Sequence, residues 1–164
     1  MNIPLLMTLP ALFSSGSPDP AHAVEVVLDT WHLAAARADE NLYFSLMTPE
    51  AVFLGTDATE RWTREAFRIW AHPYFAKGKA WSFRAVKRRV ILSKDQQVAW
   101  FDEELDTPNM GPARGTGVLV REEGGWKIAH YNLTVPIPNP LMKQVTDLIE
   151  KQGRGPTTAP APGK

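Results

Sequence analysis

The sequence predicts a single α+β domain with a curved antiparallel sheet. Apolar residues recur at helical spacing from Val24 to about Gly78, and the period then changes from 3.6 to 2. The later strand patterns follow one another as hairpins, with no helical pattern between them. Helices grouped ahead of consecutive strands are typical of α+β folds, whereas helices that alternate with strands indicate a parallel α/β fold.

Three helices are predicted in the first half of the chain. The first has one apolar stripe, formed by Val24, Val27, Leu28, Trp31, Ala35 and Ala38. The second covers about Asp39–Met47, with acidic residues suited to its first turn. Thr63 is a plausible N-cap for the third helix, which should kink or break at His72-Pro73 and end at Gly78.

The strands are predicted from short alternating segments bounded by turn residues. Ala51–Leu54 is a short strand before the third helix. Four longer strands follow, at 81–92, 97–105, 113–122 and 126–135. A closing C-terminal helix is indicated by Leu141, Val145, Leu148 and Ile149.

The two ends of the chain differ in composition from the domain, which we place at residues 24–152. Residues 1–23 contain an apolar stretch, Ile3–Phe13, followed by Ala21-His22-Ala23, which is the layout of a cleavable secretory signal. Because no Lys or Arg precedes the stretch, a disordered leader stays open as the alternative. The protein would be periplasmic or secreted in the first case and cytoplasmic in the second. Residues 153–164 are rich in Gly, Pro and Thr and should form a flexible tail.

Charge and composition exclude several classes of function. The 18 Lys+Arg balance the 18 Asp+Glu, so a general electrostatic grip on nucleic acid or on a membrane is not expected. The apolar stretch near the N-terminus is too short for a membrane helix. The absence of Cys excludes disulfides and thiol catalysis. The four His lack metal-ligand spacing and no phosphate-binding loop is present, so neither a metal nor a cofactor is expected.

Four segments resemble the nuclear-transport-factor-2-like superfamily, and in particular small SnoaL-like bacterial proteins. They are Ala51–Asp57, Trp100–Glu104, Arg114–Leu119 and Gly125–Leu133, and the resemblance covers about residues 24–138. The resemblance implies a cone-shaped sheet that wraps around the N-terminal helices and encloses one mostly apolar pocket. It also implies a homodimer formed through the outer face of the sheet. The superfamily includes ketosteroid isomerase, scytalone dehydratase and the SnoaL polyketide cyclases.

Asp102, Glu104 and His130 are the candidate catalytic residues. Asp102 and Glu104 share a strand face with Trp100, and a large indole is expected to turn that face toward the helices. Burial would raise the pKa of these carboxyls, as a general acid or base near neutral pH requires. His130 lies two residues before Asn132 on the predicted last strand, and we expect both to face the pocket. The alternatives are a solvated strand end and a structural histidine.

Six further residues are candidates for ligand binding: Trp31, Asp57, Trp62, Trp100, Arg114 and Asn132. The tryptophans are equally expected as core residues, and Asp57 as the cap of a turn. Arg114 either pairs with Glu104 or Glu103 across the hairpin or binds an anionic ligand.

Two functions follow from these residues. The first is binding of a small, largely apolar ligand in the cone. The alternative is an acid/base enzyme of isomerase, cyclase or dehydratase type that acts on a carbonyl or polyketide-like substrate. The isomerases carry a catalytic aspartate where this chain has Leu54 or Gly55, which favours binding, whereas the clustered carboxylates and His130 favour the enzyme. A third interpretation is a dimeric accessory protein with a vestigial pocket.

Overall fold

The computed structural model describes residues 19–78, 80–108 and 110–153. The helices in these residues are α1 (Pro20–Ala36), α2 (Glu40–Ser45), α3 (Arg64–Ala76) and α4 (Met142–Lys151), with a 3-10 helix at Asn139–Leu141. The strands are β1 (Met47–Leu54), β2 (Arg61–Thr63), β3 (Arg84–Leu92), β4 (Val98–Asp106), β5 (Ala113–Glu122) and β6 (Gly125–Thr134). Of these elements, the three-residue strand β2 and the 3-10 helix at Asn139–Leu141 have no counterpart in the sequence prediction.

Helix α1 begins earlier than the predicted start at Val24. Its first residue is Pro20, and the side chain of Asp19 caps it by accepting a hydrogen bond from the Ala21 backbone N–H at 3.0 Å. The Ala21–Ala23 segment therefore lies in the first turns of this helix. The rest of the predicted leader, residues 1–18, lies outside the described residues, as do residues 154–164 of the predicted tail.

Helix α3 starts as predicted, because the Thr63 hydroxyl accepts a hydrogen bond from the Ala66 backbone N–H at 3.3 Å. Of the predicted kink or break at His72-Pro73, the break does not occur. The helix continues through Pro73 to Ala76, since the proline is exposed while Ala71 and Phe75, on either side of it, are buried in the core. Packing of this face outweighs the lost backbone hydrogen bond.

The six strands form one curved sheet in the order β2-β1-β6-β5-β4-β3, which confirms the α+β class. The pairs from β3 to β6 are antiparallel hairpins, as predicted. Strand β1 differs from the prediction, because it runs parallel to β6. The two strands are far apart in sequence and no hairpin turn joins them, so their relative direction is not fixed locally. The inner face of the sheet packs against α1 and α3.

Strand β6 contains a bulge that decides which side chains face inward. Val118 of β5 pairs with His130, but Leu119 pairs with Ile128, so Ala129 is an additional residue on β6. The buried residues of β6 have even numbers before Ala129 and odd numbers after it. The residues that face the core are therefore Trp126, Ile128, Tyr131 and Leu133.

The C-terminal helix α4 is present as predicted but does not close the domain. None of its residues is buried, and Leu148 and Ile149 remain exposed. Among the described residues, no helix is both long and apolar enough to cross a membrane.

Candidate functional site

A cavity of about 140 Å³ lies between the helices and the inner face of the sheet. Fourteen of the described residues line it, and nine of them are aromatic: Trp31, Tyr43, Phe53, Trp62, Phe67, Trp70, Trp81, Phe83 and Tyr131. The remaining lining residues are Gly55, Thr56, Glu60, Met110 and Leu133. Glu60 is the only charged residue among them. A cavity of this kind favours a flat apolar molecule.

The cavity wall is assembled from distant parts of the chain by aromatic stacking. Phe53 of β1 stacks on Phe67 of α3, with ring centroids 4.2 Å apart and planes at 9°. Trp31 of α1 stacks on Tyr43 of α2 at 4.6 Å and also contacts Tyr131 of β6 at 4.6 Å. Rings held by several neighbours at once have little freedom to rotate, so the cavity is largely preformed.

Two polar atoms in this wall have no hydrogen-bond partner among the described residues: the indole Nε1 of Trp31 and the hydroxyl of Tyr43. Trp81 lies close to the Tyr43 hydroxyl, but no hydrogen bond of good geometry joins them. Burial raises the pKa of Tyr43 well above its ordinary value, so its hydroxyl keeps its proton. Buried donors without partners are uncommon in folded proteins.

A buried ionic cluster is centred on Glu103 of β4. It contacts the hydroxyl of Tyr131, a residue that lines the cavity. Glu103 Oε1 accepts a hydrogen bond from the Tyr131 hydroxyl at 2.9 Å and lies 2.8 Å from His32 Nε2. Glu103 Oε2 accepts from Arg88 Nε at 2.8 Å, and Arg88 Nη1 reaches Asp29 Oδ1 at 2.8 Å. The cluster thus joins α1, β3, β4 and β6.

The partners of Glu103 determine its ionisation. Burial on its own would raise the pKa of Glu103, but hydrogen bonds and charges from His32 and Arg88 hold it below its ordinary value. Burial raises the pKa of Tyr131 well above normal, and the adjacent Glu103 carboxylate adds to this increase. Near neutral pH the carboxylate is therefore ionised and the phenol is protonated.

Gly115 of β5 provides the space for this cluster. A Cβ atom at this position would overlap the Tyr131 hydroxyl and lie 2.8 Å from Glu103 Oε1. Glycine here therefore permits the close approach of a buried hydroxyl and a carboxylate to the backbone.

The two faces of β4 are reversed relative to the sequence prediction. Phe101, Glu103 and Leu105 face the core, whereas Trp100 is 44% exposed and lies with Asp102 and Glu104 on the outer face of the sheet. Asp102 forms an exposed ion pair with Arg89 at 3.1 Å. The physical reason is that Phe101 and Leu105 together bury more apolar surface than Trp100 alone.

His130 and Asn132 also lie on the outer face, because the β6 bulge turns Tyr131 inward instead. Arg114 of β5 lies on the outer face as well, between the buried Ala113 and Gly115. The predicted convergence of Asp102, Glu104 and His130 on the pocket is therefore not observed. Glu104 and Arg114 are opposite each other in register and line a separate open cleft of about 450 Å³ at the sheet end. Within the described ranges, Arg114 makes no ion pair with Glu104 or Glu103.

The remaining predicted ligand residues fall into two groups. Trp31 and Trp62 line the cavity. Asp57 follows the lining residue Thr56 in the loop after β1, where its carboxylate accepts hydrogen bonds from the Thr59 backbone N–H at 2.8 Å and the Thr59 hydroxyl at 2.6 Å. It acts as a turn cap, which was one of the two predicted alternatives.

The sequence pattern did not predict four residues of the site: Glu103, His32, Tyr43 and Tyr131. His32 carried the clearest signal, because it follows Leu28 by four residues on the apolar stripe of α1, where a polar residue needs a buried partner. The part of the chain that the structure describes contains no group of three or more His, Cys, Asp or Glu arranged to hold a metal ion.

Several solved structures share this fold at low sequence identity. An NTF2-like protein of unknown function from Pseudomonas putida KT2440 is 12% identical, with 73% of this chain and 88% of that chain covered and a TM-score of 0.59. A cystatin-like fold protein from Burkholderia xenovorans LB400 is 20% identical, with 74% and 96% covered and a TM-score of 0.59. A protein from Streptomyces avermitilis, provisionally assigned as a dehydratase of the NTF2-like family, is 16% identical, with 72% and 96% covered and a TM-score of 0.59. These similarities concern the fold alone.

A comparison with curated protein sequences finds no match. The family model described as "SnoaL-like domain", in contrast, matches residues 24–138, which is most of the chain and includes the cavity and the ionic cluster. The chain therefore belongs to the SnoaL-like domain family, and it shares its fold with NTF2-like proteins.

Proposed function

We propose that this domain binds a small, largely apolar, planar ligand in its aromatic cavity. The observation that carries the proposal is the wall of nine aromatic side chains with a single charged neighbour, Glu60. The cavity volume of about 140 Å³ is close to the roughly 150 Å³ of an engineered apolar cavity that accepts benzene. One aromatic ring with a short substituent therefore fits inside.

The binding proposal can be tested with ethylbenzene and two tryptophan variants. Trp62 lines the cavity and Trp100 lies on the outer sheet face, and both are partly exposed. We expect Trp62→Ala to weaken binding about fivefold, since it removes one aromatic contact, and Trp100→Ala to leave the affinity unchanged. Isothermal titration calorimetry measures both. Equal losses in the two variants, or no binding by the unmodified protein, would refute the proposal.

Because Asp102, Glu104 and His130 face away from the cavity, the acid/base alternative would have to use Glu60, which lines the cavity, or the Glu103 cluster. A general base near neutral pH needs a raised pKa and a free lone pair directed at the substrate. Glu103 instead has a lowered pKa and is occupied by Tyr131, His32 and Arg88. These properties support a structural role for Glu103 over proton transfer by this residue.

We also propose that the outer sheet face forms a homodimer. Ile91, Trp100, Val118 and His130 form one row across β3, β4, β5 and β6 in register. Arg89 and Asp102 lie in the next row and provide charges of both signs. Such a surface is self-complementary about a two-fold axis.

The dimer proposal can be tested with a matched pair of isoleucine variants. Ile91 is 51% exposed on the outer sheet face, and Ile69 is 68% exposed on α3. We expect Ile91→Glu to give a monomer in size-exclusion chromatography with light scattering, because it would bury an unpaired charge in the apolar part of the contact. Ile69→Glu should remain a dimer. A monomeric unmodified protein at micromolar concentration would rule out the dimer.

A further inference from the structure

We infer that the cavity takes an organic cation, a protonated amine on a flat apolar ring, and that Glu60 and the indole rings of Trp62 and Trp70 hold its charge. This inference rests on the proposed binding function and adds to it the charge of the ligand. The feature that carries it is a single carboxylate in a wall whose other described residues are mostly aromatic.

The position of Glu60 is fixed by the loop that joins β1 to β2. Its backbone C=O accepts a hydrogen bond from the Gly55 N–H at 2.9 Å, and its own N–H donates to the Asp57 C=O at 3.0 Å. The first of these bonds extends the pairing of β1 with β2, in which Phe53 is opposite Trp62. Side chains two residues apart along a strand share a face, and Glu60 and Trp62 both line the cavity.

The Glu60 carboxylate is held in place with one oxygen accessible. Oε2 accepts a hydrogen bond from the Asp57 backbone N–H at 3.2 Å. Oε1 has no hydrogen-bond partner among the described residues and is not one of the buried unpaired atoms, so a ligand can reach it. Gly55 permits this placement, because a Cβ atom at that position would overlap the Glu60 carboxylate.

Among the described residues, no cation pairs with this carboxylate. Glu60 forms no ion pair there, and no described Lys, Arg or His lines the cavity. The adjacent Arg61 is exposed and alternates with Trp62 along β2. The carboxylate therefore gives the cavity wall a negative charge, which attracts a cation and repels an anion.

The indole rings of the same wall supply a second attraction for a cation. The ring centroids of Trp62 and Trp70 are 5.8 Å apart, and those of Trp70 and Trp81 are 6.2 Å apart. All three rings line the cavity, and Trp70 is 40% exposed, so the group extends from the cavity to the surface. Within the described part of the chain, no Lys or Arg covers any of them. Indole faces attract ammonium groups more strongly than other aromatic side chains do.

The rest of the cavity determines what must accompany the charge. Its inner wall includes Phe53, Phe67 and Tyr131, where a charge would lose its water without compensation. An apolar ring therefore occupies the interior, and the ammonium group stays near Glu60, where its N–H groups can donate to Oε1. A bare metal ion fits less well, because no group of three or more His, Cys, Asp or Glu surrounds such a position in the described ranges.

The experiment compares ligands of one shape that differ in charge. Ethylbenzene and benzylammonium have the same outline, with CH₃ replaced by NH₃⁺, and phenylacetate is the anionic probe. Near neutral pH we expect benzylammonium to bind about fivefold more tightly than ethylbenzene, because the bond to Glu60 and the indole faces outweigh the lost apolar contact. Phenylacetate should bind more weakly than either. Isothermal titration calorimetry at low ionic strength gives the affinities.

A matched pair of glutamate variants assigns the charge effect to Glu60. Glu60→Gln removes the charge and keeps an oxygen that can accept from the Asp57 N–H. Glu65→Gln removes the same charge from an exposed residue of α3 outside the lining. Glu60→Gln should weaken benzylammonium binding about fivefold and leave ethylbenzene binding unchanged, while Glu65→Gln should change neither.

A matched pair of tryptophan variants tests the indole faces. Trp70 lines the cavity and Trp100 lies on the outer sheet face, and their exposures are similar, at 40% and 44%. Trp70→Leu keeps an apolar side chain, so it should weaken benzylammonium binding about threefold more than ethylbenzene binding. Trp100→Leu should leave both affinities unchanged.

The outcomes separate the inference from the binding proposal. If ethylbenzene binds at least as tightly as benzylammonium, the inference is wrong and the cavity is a site for neutral ligands. Tighter binding of phenylacetate than of benzylammonium would also overturn it, as would equal losses for both probes in Glu60→Gln or in Trp70→Leu. If neither ethylbenzene nor benzylammonium binds, the proposed function fails and the inference fails with it.

Discussion

Asp102 and Glu103 are neighbours on β4, yet they lie in opposite environments. Asp102 is on the outer sheet face and forms one exposed ion pair with Arg89. Glu103 is on the inner face and is surrounded by His32, Arg88 and Tyr131. Exposed ion pairs contribute little to stability, whereas a buried charge requires a complete set of partners. The carboxylate at position 102 is therefore of little importance for stability, whereas the fold depends on the carboxylate at position 103.

Truncating one apolar residue on each face of β4 should give the largest difference in stability. Phe101→Ala should destabilise the domain by about 4 kcal/mol, because it leaves a cavity beside Gly117 and Tyr131. Trp100→Ala, which removes a larger but partly exposed ring, should cost the isolated subunit less than about 1 kcal/mol. Urea denaturation at a concentration that keeps the protein monomeric measures both. A larger loss for Trp100→Ala would mean that the strand faces are assigned incorrectly.

Neutralising the two carboxylates, Glu103 and Asp102, should give the next largest difference in stability. Glu103→Gln should cost about 3 kcal/mol near neutral pH, because it leaves the buried Arg88 guanidinium without the carboxylate that compensates its charge. Asp102→Asn should cost less than about 0.5 kcal/mol. If urea denaturation gives equal losses of unfolding free energy for the two variants, the Glu103 cluster contributes no more to stability than the exposed Asp102–Arg89 pair.

The pH dependence of stability sharpens the same comparison. The pKa of folded Glu103 is below its ordinary value of 4.5, so its contribution is complete above that pH and is lost as the pH falls through the folded pKa. The difference in free energy of unfolding between the unmodified protein and Glu103→Gln should therefore decrease below about pH 4.5. A gap that stays constant down to acid unfolding would contradict the lowered pKa.

Two glycine variants give the smallest expected difference. Gly115→Ala should cost about 2 kcal/mol, since its Cβ would force Tyr131 and Glu103 apart. Gly124 lies in the exposed turn before β6, where an added Cβ atom would meet nothing within 4 Å, so Gly124→Ala should change stability by less than about 0.5 kcal/mol. Thermal unfolding monitored by circular dichroism distinguishes them. A neutral Gly115→Ala would indicate that Tyr131 can move without loss.

The class of fold could be predicted because local patterns determine it. The helical stripe that includes Leu28 and Trp31 and the alternating segments after Gly78 each contain enough residues to define a period. The order of the long strands follows from the short turns between them, such as Glu123–Gly125. The parallel pairing of β1 with β6 has no such local signal.

The site was predicted less well because its key contacts are long-range. Glu103 is buried with partners 71, 28 and 15 positions away, and no pattern within β4 indicates them. The prediction relied on Trp100 to orient the strand, although Ala99, Phe101 and Leu105 all alternate in the opposite phase. If all the apolar residues of β4 are used to orient the strand, instead of Trp100 alone, Glu103 is placed on the inner face.

The extra residue in β6 also affects how relatives should be aligned with this chain. Without a gap at Ala129, a position-by-position alignment with a relative that lacks the bulge would match its inward-facing residues to His130 and Asn132. With the gap, the same residues match Tyr131 and Leu133, which line the cavity. A functional residue transferred through this strand can therefore move from the cavity to the opposite surface through the placement of a single gap.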